Sequence, residues 1–239
     1  MQYPSLKDKR ILVIGGSAGI GQAIAIAAAD SGADVVIASR SGAKLAAANA
    51  RLPGARTAVV DVTDENSVRA LFEIVGAIDH LITTAAVVQR KPFFDITAAE
   101  AHAAFESKFW GQFYAARCAA KWIRGNGSIT FFSGISSRRG TPSLVITGAI
   151  NAAIESLSRS LALTLAPIRV NAISPGYVDT PGHDDAAGKR RVVLEQVAKS
   201  IPAGRVARPE EVAQTALYLM QSEFTTGTVV DIDGGHLAA

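Results

Sequence analysis

The sequence predicts an α/β fold: a single doubly wound, parallel seven-stranded sheet with helices on both faces. Short, continuously apolar runs recur along the chain, and longer alanine-rich stretches with helical spacing lie between them. Strands apolar throughout are buried on both faces, as in parallel sheets, and the alternating helices supply the crossovers. A glycine-rich string also follows the first apolar run and opens the first helical stretch.

Taken in order, residues 10–14 (RILVI) read as the first strand and 20–31 as the first helix. Strands at 34–38 and 56–60 alternate with helices at 44–51 and 65–74. A strand at 80–83 leads to one long helix at 98–124, then a strand at 128–132 and a helix at 146–165. The sixth strand is 168–172, the last helix 210–221 and the last strand 228–232. Between strand six and that helix lies a long connection, 177–206, containing Pro181, Gly182, Gly188, Pro202 and Gly204. A connection of that length in a compact domain reads as a substrate lid or as a surface excursion. Residues 1–239 then form one domain, without linker or repeat.

Composition excludes several classes. A hydrophobic fraction of 49% against 19% charged residues describes a compact globular chain. The net charge is +3, and the densest basic cluster is only Lys189-Arg190-Arg191, which argues against nucleic acid as a partner. No run approaches the roughly 18 apolar residues of a membrane span, and no signal peptide is evident. The one cysteine, Cys118, reads as a buried thiol, and its solitude fits a reducing cytoplasm. The histidines His80, His102, His183 and His236 are scattered without ligand spacing, so no metal site is expected; His183-Asp184-Asp185 reads as a solvated loop triplet. No GxSxG elbow supports acyl transfer.

The string VIGGSAGIG, residues 13–21, carries the first chemistry. Gly15 permits a tight turn, Gly19 lets the backbone approach a pyrophosphate, and Gly21 lets the helix pack closely on the strand. With Ser17 and Ile20 completing the loop, the helix-terminal N–H groups meet phosphate charge. At the end of strand two, where an acid would hold the ribose 2′-hydroxyl of NAD, stand Ser39 and Arg40. A guanidinium suits a 2′-phosphate, so NADP(H) is expected over NAD(H); the competing reading is that Arg40 solvates the loop beside Lys44.

The spacing Gly15-xxx-Gly19-x-Gly21 resembles the glycine motif of the short-chain dehydrogenase/reductase family. So do RVNAISPG at 169–176, ISPGYVDTP at 173–181, the helix string around PEEVA at 209–213, and VDIDGG at 230–235. The resemblance covers nearly the whole chain. It implies a one-domain Rossmann-type enzyme, a homo-dimer or homo-tetramer built on the 98–124 and 146–165 helices, and a small-molecule substrate. It also implies that Asp61 and Val62 contact the adenine ring, that Thr84 and Ala85 pass near the ribose, and that Pro175, Gly176, Val178 and Thr180 cover the nicotinamide. Two departures accompany it. The family's threonine before the first glycine is Ile14, and its Asn-Asn-Ala-Gly after strand four reads Thr83-Thr84-Ala85-Ala86.

The family moves its proton with Asn, Ser, Tyr and Lys. Aligned by flanking strings, those positions read Lys108, Gly134, Thr147 and Asn151. Threonine does not ionise in the accessible range, and asparagine brings no charge. Several groups offer substitutes. Lys108 could serve as acid or oxyanion partner, or point to solvent or a carboxylate. Ser133 and Ser136 could donate to a carbonyl, or satisfy backbone. Tyr177, Tyr114 and His183 are the other ionisable groups within reach, Tyr177 the best placed. Arg138 and Arg139 could greet an acidic substrate or form an exposed basic turn. Two functions follow: an atypical NADP(H)-dependent oxidoreductase on a small carbonyl, quinone or activated alkene, or an NADP(H)-binding sensor or scaffold without turnover.

Overall fold

A computed structural model describes residues 4–88, 90–181 and 190–239 of the chain. Seven strands form one parallel sheet: β1 (Arg10–Ile14), β2 (Asp34–Ser39), β3 (Arg56–Val59), β4 (Ile78–Thr83), β5 (Ile123–Phe132), β6 (Arg169–Pro175) and β7 (Val229–Ile232). Their spatial order is β3-β2-β1-β4-β5-β6-β7. The described helices are α1 (Gly19–Asp30), α2 (Gly42–Asn49), α3 (Glu65–Val75), α4 (Ala98–Phe105), α5 (Gly111–Ala119), α6 (Val145–Thr164), α7 (Arg190–Ala198) and α8 (Pro209–Gln221).

Side-chain alternation divides the interior in two. In β1, Leu12 and Ile14 face a core shared with α3, α5 and α6, through residues such as Phe72, Ala115 and Ile154. Ile11 and Val13 face the opposite core, with Ile24 of α1, Leu45 of α2 and Val212 of α8. Both faces being dry, the inner strands are apolar along their length. The strand order reverses between β1 and β4, which pair directly with Ile14 opposite Thr83. The chain leaves these two strands in opposite directions, so a crevice opens beyond their carboxyl ends.

Several element boundaries differ from the sequence reading. The expected helix over 98–124 is α4, a π-helical turn at Glu106–Trp110, and α5; Ile123 and Arg124 belong instead to β5. Trp122 donates to Ala119 O and its carbonyl accepts from Ile78 N, so pairing with β4 captures the end of the apolar helical pattern. The connection 177–206 carries α7, which its proline and glycine content concealed. His183, Asp184, Asp185 and Lys189 lie outside the described residues, as do the side chains of Arg190 and Arg191. Cys118 is half-buried rather than fully enclosed, and burial is the largest influence raising its thiol pKa. No described helix is long and apolar enough to cross a membrane.

Candidate functional site

The glycine turn shapes one end of the crevice. Gly15 has φ +91° and Gly19 φ +54°, backbone that L side chains rarely adopt. A Cβ on Gly15 would lie 2.4 Å from Thr84 Oγ1, and one on Gly21 would lie 2.3 Å from Gly15 O. Thr84 Oγ1 donates to Ile14 O at 3.2 Å. The hydroxyl tie that Ile14 itself lacks is thus supplied from the end of β4. The N-cap of α1, Ala18, offers no side-chain cap, so the first helical N–H groups are not taken by a side chain. Such a cradle fits a pyrophosphate.

Three adjoining hollows run along the strand ends. The first, about 210 Å³, is lined by Ser17, Ser39, Arg40, Lys44, Val62 and Ala85, among others. The second, about 350 Å³, passes over Gly15, Gly19, Ile20, Gly21, Thr84 and Ala85 to Pro175 and Thr180. The third, about 540 Å³, holds Lys108, Ser133, Gly134, Thr147, Asn151, Gly176, Tyr177 and Val178. These hollows bring together the expected cofactor residues except Asp61, which is not in their lining. The Asp61 carboxylate instead accepts from Thr63 N (3.0 Å) and Thr63 Oγ1 (2.8 Å). Those bonds, first of all, hold its pKa below the usual carboxylate range. Thr180 closes over the glycine turn, its Cγ2 3.3 Å from where a Gly19 Cβ would sit. The segment before it is fastened by Ala207 N to Tyr177 O and Asp179 N to Ala207 O.

Lys108 stands at the junction of the second and third hollows. It sits on the π-helical turn, an irregularity that often marks function, and is only 6% exposed. Its Nζ donates to Asn151 Oδ1 at 2.5 Å and to Ser133 O at 3.1 Å. Neither expected surface role, solvent or a carboxylate, describes it. Burial lowers its pKa to about 8. Asn151 Nδ2 in turn donates to Ser136 Oγ (2.8 Å) and Gly134 O (3.2 Å). A Cβ on Gly134 would lie 2.9 Å from Asn151 Nδ2, so the amide fills space a side chain at 134 would need.

Other candidates separate by geometry. Ser133 Oγ turns to Glu155 Oε1 (3.1 Å) and Ile173 O (3.4 Å), and Ser137 Oγ reaches the same carboxylate oxygen at 2.6 Å. Tyr114 stacks on Trp110, with ring centroids 5.9 Å apart, outside the lining of the hollows. Arg138 is paired with Asp231 and lies 3.8 Å from Glu155. Thr147 and Tyr177 both line the third hollow. No group of three or more potential metal ligands occurs among the described residues.

Sequence reasoning missed Gln112, one helical turn beyond Lys108. Its Oε1 accepts from Thr83 Oγ1 (2.8 Å) and Phe132 N (2.9 Å), and its Nε2 donates to Lys108 O (3.0 Å). This one amide ties the ends of β4 and β5 to the turn that carries Lys108. Only its place one turn after Lys108 on the helical pattern could have signalled it. Arg90 and His236, which the sequence reading did not place in the site, also line the third hollow.

A family model described as enoyl-(acyl carrier protein) reductase matches residues 15–236. L-xylulose reductase from Bos taurus is 32% identical over 240 residues, covering 98% of each chain. The chain belongs to the short-chain dehydrogenase/reductase family. Cis-4-hydroxycyclohexanecarboxylate dehydrogenase from Sinomonas cyclohexanicum, another relative, is 36% identical and covers 97% of each chain. Among solved structures, a small-chain dehydrogenase in complex with NADPH matches with a TM-score of 0.84 at 34% identity, covering 98% of this chain and all of that one. The MalC reductase/Diels-Alderase of Malbranchea aurantiaca matches with a TM-score of 0.91 at 30% identity, covering 98% of each. As in its short-chain dehydrogenase/reductase relatives, one Rossmann-like domain forms the frame.

Proposed function

We propose that this protein is an NADP(H)-dependent oxidoreductase acting on a small carbonyl, quinone or activated alkene, with Lys108 in place of the family's tyrosine as proton donor. The observation that carries this reading is the buried Lys108 ammonium between the glycine cleft and the third hollow, held by Asn151 Oδ1 and Ser133 O. Two of the three N–H donors of an ammonium are accounted for by those acceptors. The third would serve a substrate oxygen in the hollow.

When bound, the nicotinamide cofactor supplies hydride chemistry. Gly15, Gly19 and Gly21 would hold its pyrophosphate, and Ser39 with Arg40 its 2′-phosphate. Pro175, Gly176, Val178 and Thr180 would cover its nicotinamide and exclude water. The relative solved with NADPH supports this choice. Lys108 would hold a substrate carbonyl oxygen and release a proton to it as negative charge develops. A pKa of about 8 makes that donation easier than from an ordinary ammonium. Asn151 orients the ammonium, and Thr147 and Tyr177 shape the hollow beside it. The segment 177–206 would act as the substrate lid. The helical faces expected over 98–124 and 146–165 would form a homo-dimer or homo-tetramer in the cytoplasm, which sedimentation can check.

The second reading rests on Thr147 and Gly134, which stand at the family's tyrosine and serine positions: an NADP(H) binder without turnover. Fluorescence titration with NADPH and NADH, followed by cofactor oxidation against quinones and aldehydes, separates the two. Tight NADPH binding with turnover supports the oxidoreductase. Tight binding with no turnover across a broad panel supports the binder. Absence of nucleotide binding overturns both.

A further inference from the structure

We propose that the third hollow is built for a carboxylate-bearing substrate, with Arg139 and Arg90 receiving the anion and the reacting carbonyl directed to Lys108. The position of the carbonyl rests on the oxidoreductase reading above; the anion preference does not.

The charge inventory is one-sided. Among the described residues lining this hollow are Arg90, Lys108 and Arg139, and no Asp or Glu. The buried acid Glu155 is not in the lining and is engaged by Ser133, Ser137 and Arg138. Three cations around one low-dielectric concavity raise the local concentration of anions.

The two adjacent arginines of the 138–139 turn have different fates. Arg138 is neutralised by Asp231, with a further bond to Ser174 Oγ at 3.3 Å. Arg139 lines the hollow instead, its Nη1 donating to His236 O at 3.0 Å and to Ala239 O at 3.2 Å. Those two main-chain oxygens hold one arm of the guanidinium. Burial is the main cause lowering the His236 pKa, so its imidazole adds no positive charge at neutral pH. Arg90 is held over the Tyr177 ring, its Cζ 5.7 Å from the centroid. It is exposed and lines the same hollow, as a cation at the mouth. The same wall includes the apolar side chains of Val88, Ile135, Leu144 and Pro142. A wall that combines cations with apolar side chains fits a small oxo acid: carboxylate to the arginine fork, hydrocarbon to the apolar side chains, carbonyl to the lysine.

The test is calorimetric titration of matched pairs into the NADP⁺-loaded protein, where no reduction can follow, or into the free protein should NADP⁺ not bind. The ligands are 4-oxopentanoate, 4-oxocyclohexanecarboxylate and pyruvate, each against its methyl ester. The acids should bind about tenfold or more tightly than the esters, with a preference that weakens as salt rises. Arg139→Gln should collapse that preference toward unity, and Arg139→Lys should keep part of it. Should Arg139→Gln fail to fold by circular dichroism, Arg90→Gln carries the same comparison. Equal binding of acid and ester, a preference for the ester, a preference untouched by the arginine variants, or no binding by any acid overturns the proposal. NADPH oxidation by the same ligands is measured separately. Acid preference without turnover leaves this proposal standing and removes only the assignment of these oxo acids as substrates of the oxidoreductase. Turnover without acid preference does the reverse.

Discussion

Lys108 and Asn151 meet across the floor of the cleft, Nζ to Oδ1 at 2.5 Å, one from the π-helical turn and the other from α6. By the alignment of flanking strings, the family has asparagine at the first position and lysine at the second. We propose that the pair is exchanged: in this chain the ammonium comes from the π-helical turn and the amide from α6.

An exchange predicts a specific pattern of coupling. Asn151→Lys alone would confine two ammonium groups in one buried site and should destabilise the fold by about 3 kcal/mol or more. Lys108→Asn alone removes the cation and should cost less. The double variant K108N/N151K restores one cation and one amide, and should recover much of the loss. Urea denaturation of the four proteins measures the coupling; simple additivity would refute the exchanged-pair reading.

The proton-donor role predicts both a magnitude and a pH dependence. Lys108→Met should lower the reduction rate by roughly 10²–10⁴-fold while leaving NADPH affinity within a few-fold. In the native protein, reduction should decline as pH rises through about 8, because the donor must be protonated. A flat profile across that range, in a protein that turns over, would assign the proton to another group.

The same ionisation acts on stability with a definite sign. Burial depresses the Lys108 pKa from 10.5 to about 8, so protonation opposes folding. The penalty is complete below pH 8 and fades between about 8 and 10.5, on the order of 3 kcal/mol in all. The stability of the native protein relative to Lys108→Met should therefore rise with pH across that window. Paired denaturant titrations at several pH values test this.

Gly134 predicts a packing effect. Gly134→Ala places a Cβ 2.9 Å from Asn151 Nδ2, closer than real contacts allow, and the amide must move. A cost of roughly 1–3 kcal/mol is expected. The accompanying loss of the Asn151 contact to Lys108 should also shift the midpoint of the pH–rate profile. Thermal melts and that profile read the two effects separately.

Arg40 predicts cofactor choice. It lines the smallest hollow beside Ser39 and Lys44. Arg40→Ala should raise the Kd for NADPH by about ten- to a hundredfold, the loss of a charge-assisted fork, with little change for NADH. Equal effects on the two nucleotides would dissociate Arg40 from the 2′-phosphate.

The sequence by itself determined the sheet, its strand identities and the glycine turn. Continuous apolar runs leave few ways to bury both faces, and the positive φ of Gly15 and Gly19 is a need that the residue type announces. It also singled out Lys108, Gly134, Thr147 and Asn151 as the candidates at the positions where the resembled family carries its proton-moving residues. Only the tertiary structure decided what those side chains do together. Lys108 and Asn151 are 43 residues apart, and nothing local says that one accepts from the other. Arg138 and Arg139 are indistinguishable in sequence, yet Asp231 claims one while the other lines the hollow, with its guanidinium on His236 O. Secondary structure follows from short-range pattern, whereas the charge, burial and pKa of a site depend on groups that the fold alone brings within a few ångströms of each other.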